Sequence, residues 1–301
     1  MIVGATASGK SAIALEVARR RPGVELVSMD SMALYRGMDI GTAAPTAADR
    51  AEVPHHLLDL VDPTKDFTVS DFQVAAREAL VGMADRGSRA VLVGGTGLHV
   101  RAVVDDLEIP GRYDEVRAAL EADDDTSGLY ARLVALDPVA AGRMEATNRR
   151  RVVRALEVTL GSGRPFSSFG PGLEAYPATP FTQVGLRVDR DVMDRRIAER
   201  YQRQLDDGFL DEVRALEGLV GGLSRSAAQA LGYKELLAHL RGDRTLEDAV
   251  SDAVVATQRF ARRQERWFRR DPRIEWFDVA DDPLEALNEV LERFDRCGAP
   301  G

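Results

Sequence analysis

Cysteine is nearly missing from this sequence: Cys297 is the one instance in 301 residues. That excludes a disulfide framework and a cysteine zinc site, and it suits a reducing cytoplasm. Lysine is scarce as well, with three of the 40 basic residues (Lys10, Lys65, Lys234). An arginine therefore carries weight only where its position is special. No apolar run reaches the roughly 18 residues needed to cross a bilayer. No signal-like segment opens the sequence, so a cytoplasmic protein with no membrane partner is expected. Internal repeats and low-complexity tracts are absent too. The formal net charge of −9 does not advertise a nucleic-acid partner, so any such surface has to be a local patch. What remains is 45% hydrophobic and 30% charged residues, an ordinary soluble composition. The length suffices for one large domain plus an insertion, or for two domains.

The organising stretch is Gly4-Ala5-Thr6-Ala7-Ser8-Gly9-Lys10-Ser11. It fits G-x-x-x-x-G-K-[ST], follows the apolar Met1-Ile2-Val3 and opens a helical pattern at Ala12, Leu15 and Ala18. The glycines let successive backbone N–H groups point inward, and the following helix aims its positive end at the same spot. Lys10 adds a point charge, and the Ser11 hydroxyl is placed to hold Mg²⁺. The loop is read as a site for a di- or triphosphate. The preceding strand is short for a P-loop protein, and a few residues before Met1 are expected.

In order, the chain reads as α/β. Val24–Met29 is a strand ending in Asp30. Polar, glycine-rich sequence follows through Thr42. Thr68 is an N-cap with Asp71 at the third helical position, opening a helix to about Arg86. Ala90–Val93 is a continuous apolar run, as in a central parallel strand, stopping at Gly94-Gly95-Thr96. Ligands are then expected at the C-terminal edge of a parallel sheet. From Pro110 the pattern turns helical (114–121, 129–136, 138–145, 148–160), with a loop rich in Gly, Pro and Ser to Pro180. Residues 181–188 return as a strand, a helix covers 191–207, and mostly helical sequence runs to Arg270. A strand at 274–277 and a closing helix finish the chain. The expected organisation is a discontinuous P-loop core, residues 1–110 and 181–301, with a helical insertion at 111–180.

Asp30 decides the function class. A carboxylate at a strand end beside a P-loop reads as a Walker-B-type ligand helping to hold Mg²⁺, or as a general base. The other central strand ends in Gly94-Gly95 without a carboxylate, which leaves an NTP hydrolase short of parts. A kinase and a non-kinase transferase both remain open on this logic.

The motifs taken together resemble a known family. Besides the P-loop they are Ser28-Met29-Asp30-Ser31, the run Tyr35–Pro45, Pro54–Asp59, Val93–Leu98, Arg154–Glu157, Gln229–Lys234, and Arg263-Gln264 with Trp267-Phe268-Arg269. Nearly the whole chain is similar to the bacterial tRNA dimethylallyltransferases, in the family's order. The stretch from Asp30 to Pro45 is the most specific. The resemblance implies a P-loop NTPase-like core and transfer of a dimethylallyl group from its diphosphate to an adenosine amine next to the anticodon. It implies that Gly4–Ser11 holds the pyrophosphate rather than ATP, with Mg²⁺ as cofactor and Ser11 as its ligand. It further implies that Asp30 accepts the amine proton, that Thr96 positions the base, and that Arg200 contacts pyrophosphate.

The base must leave the anticodon-loop stack to be reached. The resemblance assigns tRNA anticodon stem-loop contact to Asp30, Ser31, Met32, Ala33, Thr96, Arg117, Arg150, Arg151, Arg154, Gln229, Gly232, Tyr233 and Lys234. Four arginines in 148–154 support this independently, because such a cluster neutralises phosphates. A second basic stretch, 259–273, is as compatible with salt bridging as with RNA. His55-His56 reads as structural, since neighbouring strand residues point to opposite faces and no third metal ligand is suitably spaced. Trp267, Phe268 and Phe260 read as core. A monomer is expected. The alternatives are an adenylate isopentenyltransferase acting on free nucleotide, which has less use for the arginine-bearing insertion, and a P-loop small-molecule kinase, which predicts ATP turnover. A pure RNA-binding protein would not need Lys10, Ser11 and Asp30 together.

Overall fold

In the computed structural model, which describes residues 1–297, the opening apolar run forms β1 (Ile2–Gly4) and the P-loop leads into α1 (Lys10–Arg20). α1 buries Ile13, Ala14, Val17 and Ala18, one face of a 3.6-residue period. β2 (Val24–Ser28) follows. The polar stretch beyond it is not all loop: it contains α2 (Ala47–Glu52) and the two-residue β3 (His55–His56). α2 begins at a Thr46–Asp49 capping box, each side chain satisfying the other's backbone N–H. The same device starts α3 (Val69–Asp85), where Asp71 N–H donates to Thr68 Oγ1 at 3.2 Å and Thr68 N–H returns to the Asp71 carboxylate at 2.9 Å. β4 (Arg89–Gly94) and α4 (Gly97–Val104) complete this half.

The chain then builds a separate compact unit, Asp106–Pro177. It holds α5 (Asp114–Glu121), α6 (Thr126–Leu136), α7 (Pro138–Ala141) and α8 (Arg149–Ser162). α6 starts earlier than its apolar pattern because Asp125 caps it, accepting from Gly128 N–H at 3.0 Å. α7 is one turn long and stops at Gly142, rather than running to Glu145. Leu120, Leu129, Leu133, Val152, Val153 and Leu156 make this unit's own core.

From Ala178 the chain returns to the first unit through β5 (Gln183–Val188), α9 (Arg190–Asp206), α10 (Phe209–Glu217), α11 (Tyr233–Leu240), α12 (Leu246–Phe268), β6 (Ile274–Val279) and α13 (Leu287–Arg296). The strands form one parallel sheet in the order β3-β2-β4-β1-β5-β6. Ile2 pairs with Val93 and Val3 with Gly94, so β1 and β4 end together. Met29 N–H reaches Val93 C=O at 2.8 Å, extending the pairing to the residue before Asp30. The loop after β1, Asp30 and the Gly95-Thr96 turn are thus delivered to one edge, where the strand order switches. α12 packs on β1, α4, α9 and α11.

The neighbouring histidines have structural bonds. His55 Nδ1 lies 2.7 Å from Val53 C=O, and His56 Nε2 lies 2.5 Å from the carboxylate of buried Glu25. Burial pushes Glu25 up, but hydrogen bonds from Ser88, Arg86 and His56 outweigh it and hold the carboxyl at about 2. A depressed carboxylate contributes stability above its unfolded value near 4.5, and that contribution is lost as pH falls towards about 2. Glu25→Gln is expected to cost about 2 kcal/mol at neutral pH, the worth of a charged hydrogen-bond set. Thermal melts should show the gap between variant and parent narrowing below pH 4.5 and closing as pH approaches about 2.

Candidate active site

The loop between β1 and α1 is shaped by two glycines. At Gly9, φ is 85°, and a Cβ there would run into the Pro283 ring. A Cβ on Gly4 would come within 2.7 Å of Ser8 Oγ. The result is a cradle tied down from outside. Arg200 donates to Thr6 Oγ1 at 2.8 Å. Arg196 reaches Ala7 C=O at 3.2 Å while also holding Asp281 C=O at 2.7 Å. Lys10 Nζ folds back onto Ala5 C=O at 3.1 Å. On α12, Gln264 accepts from Thr6 N–H at 2.8 Å and donates to Gly95 C=O at 2.8 Å. Ser8 Oγ and Arg200 Nε are buried without a hydrogen-bond partner among the described residues, two polar groups suited to an anionic ligand.

On the other side of the same edge, Asp30 makes a tight turn: its Oδ1 accepts from Met32 N–H at 2.7 Å and Ala33 N–H at 3.3 Å. Oδ2 takes no bond from a described residue. Thr96, at the N-terminus of α4, accepts from Ser31 N–H at 3.3 Å. The two bonds to Oδ1 fix the carboxylate's orientation and leave the other oxygen to accept a proton.

The electrostatics join the two halves. Burial brings Lys10 from its ordinary 10.5 to about 8, with Asp30 opposing the drop and Arg200 adding to it. Burial likewise pulls the Arg200 guanidinium down, against the field of Tyr201 and Asp30. His99 on α4 is held near 4 by burial, Asp30 opposing, so its ring is neutral at pH 7. It stacks edge-on against Phe72 at 4.7 Å. Chemically, the edge offers a cationic, N–H-lined anion site within the field of one oriented carboxylate.

Of the residues expected to meet tRNA, Asp30, Ser31, Met32 and Thr96 border this edge, whereas Ala33 is buried. Gln229 and Lys234 are exposed, but Gly232 and Tyr233 are buried. The Tyr233 hydroxyl is spent on Glu212 at 2.6 Å, and that carboxylate also collects the N–H groups of Asp39, Ile40 and Gly41. Tyr233 thus shares with Glu212 the bracing of the 39–41 loop, and Gly232 N–H bonds Glu235 at 2.8 Å. In the helical unit, Arg117 and Arg154 both bond the fully buried Glu157, at 3.3 and 2.6 Å. Arg150 and Arg151 are exposed, with side chains that bond no other described residue. Among the three aromatic residues read as core, Phe268 is buried, Trp267 partly so, and Phe260 lies outside the core cluster.

Gln264, Arg196 and His99 carry no role in the sequence reading, yet all touch the site or its walls. A signal for Gln264 exists: it falls on the buried stripe Ala253, Thr257, Ala261, Phe268, a long polar side chain where the spacing demands an apolar one.

The family model for IPP transferase matches residues 33–271. The chain belongs to that family. It is 48% identical over 288 residues to a tRNA dimethylallyltransferase of Pseudarthrobacter chlorophenolicus, covering 95% of each chain. A tRNA dimethylallyltransferase of Streptomyces avermitilis is 46% identical, with 96% of this chain and 93% of the relative covered. Among solved structures, the full-length tRNA isopentenylpyrophosphate transferase of Bacillus halodurans superposes with TM-score 0.71 at 36% identity, covering 98% and 95% of the two chains. A eukaryotic dimethylallyltransferase acting on tRNA shares the fold at TM-score 0.79 and 23% identity, with 97% and 76% covered. The IPP transferase core is thus the P-loop NTPase-like sheet described above.

Proposed function

We propose that this member of the IPP transferase family transfers a dimethylallyl group from dimethylallyl diphosphate to the exocyclic amine of the adenosine 3′ of the anticodon in tRNA, releasing pyrophosphate. The observation that supports this most is that the Gly4–Ser11 loop, with Lys10 and the Arg200–Thr6 bond, shares one sheet edge with the oriented Asp30 carboxylate, an arrangement suited to a leaving-group cradle beside a proton acceptor. The allylic C–O bond breaks with its electrons going to the diphosphate. Backbone N–H groups, Lys10 and Arg200 stabilise that charge as it develops. The amine nitrogen forms the new C–N bond and gives its proton to Asp30 Oδ2. An adenine amine is a poor nucleophile because its lone pair is delocalised into the ring, so a carboxylate oriented by Met32 and Ala33 is what the step needs. Thr96 and Ser31 are placed to orient the base.

Mg²⁺ fits the donor set. Among the described residues no group of three His, Cys, Asp or Glu side chains could hold a metal, while Ser11 stands exposed in the first turn of α1. Ser11 would hold the ion through its hydroxyl. When bound, it supplies Lewis-acid neutralisation of the leaving group.

The names of the curated relatives support tRNA as acceptor, and Arg150 and Arg151 are proposed phosphate contacts. Arg150→Ala should weaken stem-loop binding and reduce the salt slope of log K by roughly 0.7–0.9, one released counterion. Binding isotherms at several salt concentrations check this; an unchanged slope rejects the contact. The function itself is tested by mass spectrometry of tRNA from cells lacking the gene. The adenosine 3′ of the anticodon should lose its prenyl group and regain it on complementation, and an unaltered nucleoside would overturn the proposal.

A further inference from the structure

We infer that Gln264 is a positioning residue that sets the distance between the prenyl donor and the adenine acceptor; this rests on the transfer reaction proposed above. Its side-chain amide is the middle link of a continuous chain of bonds. Arg200 holds Thr6 Oγ1 at 2.8 Å, and Thr6 N–H holds Gln264 Oε1 at 2.8 Å. Gln264 Nε2 holds Gly95 C=O at 2.8 Å, and the next residue, Thr96, holds Ser31 N–H at 3.3 Å, one residue from Asp30. One end of this chain is the leaving-group cradle and the other is the proton acceptor.

The side chain is placed for this and little else. Gln264 is buried on a helix 258 residues further along the chain than Thr6. A Cβ on Gly95 would collide with its Nε2, so the turn has room for the amide only because position 95 lacks a side chain. The two bonds require one acceptor and one donor on the same planar group, which an amide supplies. The strut also withdraws Thr6 N–H from the cradle, so its purpose is not to add a phosphate contact. Transfer needs the reacting carbon and nitrogen near 3–3.5 Å, and a misplacement of about 1 Å costs on the order of 10²-fold in rate. β1 and β4 align the two loops along the strands, and the amide fixes their separation beyond the strand ends.

Two variants test this. Gln264→Leu keeps the volume and loses both bonds; kcat with a stem-loop substrate should fall on the order of 10²-fold. Pyrophosphate affinity by calorimetry should be retained or tightened, because Thr6 N–H becomes free. Gln264→Glu supplies a reversible amide mimic. Its neutral carboxyl accepts from Thr6 N–H and donates to Gly95 C=O, while its ionised form sets oxygen against oxygen. The ratio of variant to parent kcat should therefore rise at least about tenfold from pH 8.5 to 5, the size of change two lost or regained hydrogen bonds produce. Taking the ratio cancels the pH dependence that both proteins share, that of Lys10, His99 and the diphosphate included. A pH-independent ratio, or a leucine variant with parental kcat, overturns the strut. A parent enzyme that forms no prenylated RNA instead overturns the function on which it rests.

Discussion

Asp30→Ala is expected to lower single-turnover prenyl transfer by about 10³-fold, within the 10²–10⁴ range of a positioned general base. Stem-loop affinity should stay within about twofold, because affinity for RNA comes mainly from phosphate contacts. The separation follows from geometry. Asp30 Oδ1 is already committed to Met32 and Ala33 N–H groups, so the turn binds one oxygen and leaves the other for chemistry. Asn at this position keeps the turn but cannot accept the amine proton, and should be equally slow. Rapid-quench measurement of labelled stem-loop beside fluorescence anisotropy distinguishes the two quantities. A rate near that of the parent rejects Asp30 as the base.

Lys10→Ala should cost 10²–10³ in kcat/KM for dimethylallyl diphosphate, about what one oriented charge contributes to a developing anion. The depressed value of Lys10, about 8, adds a pH signature. Below it the free enzyme presents an ammonium; as pH rises through about 8 the proton is lost, and kcat/KM should fall. Lys10→Arg keeps its charge throughout and should lack that alkaline limb, even if its shape lowers the plateau. A pH profile of kcat/KM from 6 to 10 for parent and arginine variant tests this. Identical alkaline limbs would assign the titration to another group.

How much of this was legible in the sequence depends on the range of each interaction. The cradle is legible because its spacing is dictated by backbone geometry over eight residues, and the Thr68–Asp71 capping box because it is closed within one turn. The parallel sheet is legible from strands that alternate with helices and run continuously apolar. α2 is harder to see, since six residues without a buried face leave no periodicity, only the cap. Tyr233 looks like a surface contact in a Gly-Tyr-Lys stretch. Its burial depends on Glu212, which gathers three N–H groups from a loop far away in the chain. The ion pairs of Arg117 and Arg154 with Glu157 are likewise invisible in the sequence, because for Arg117 the partner lies 40 residues along the chain. Gln264 is the extreme case: its place on the buried stripe of α12 marks it as unusual, but its two partners lie far away in the chain and only the structure names them.

The most direct measurement pairs the two products of one reaction. Purified protein, Mg²⁺, dimethylallyl diphosphate and an unmodified anticodon stem-loop are followed by phosphorus NMR and by mass spectrometry of the RNA. The account predicts pyrophosphate and prenylated adenosine appearing one for one. Conversion of added ATP to ADP with a phosphorylated acceptor, or pyrophosphate without a prenylated base, would contradict it.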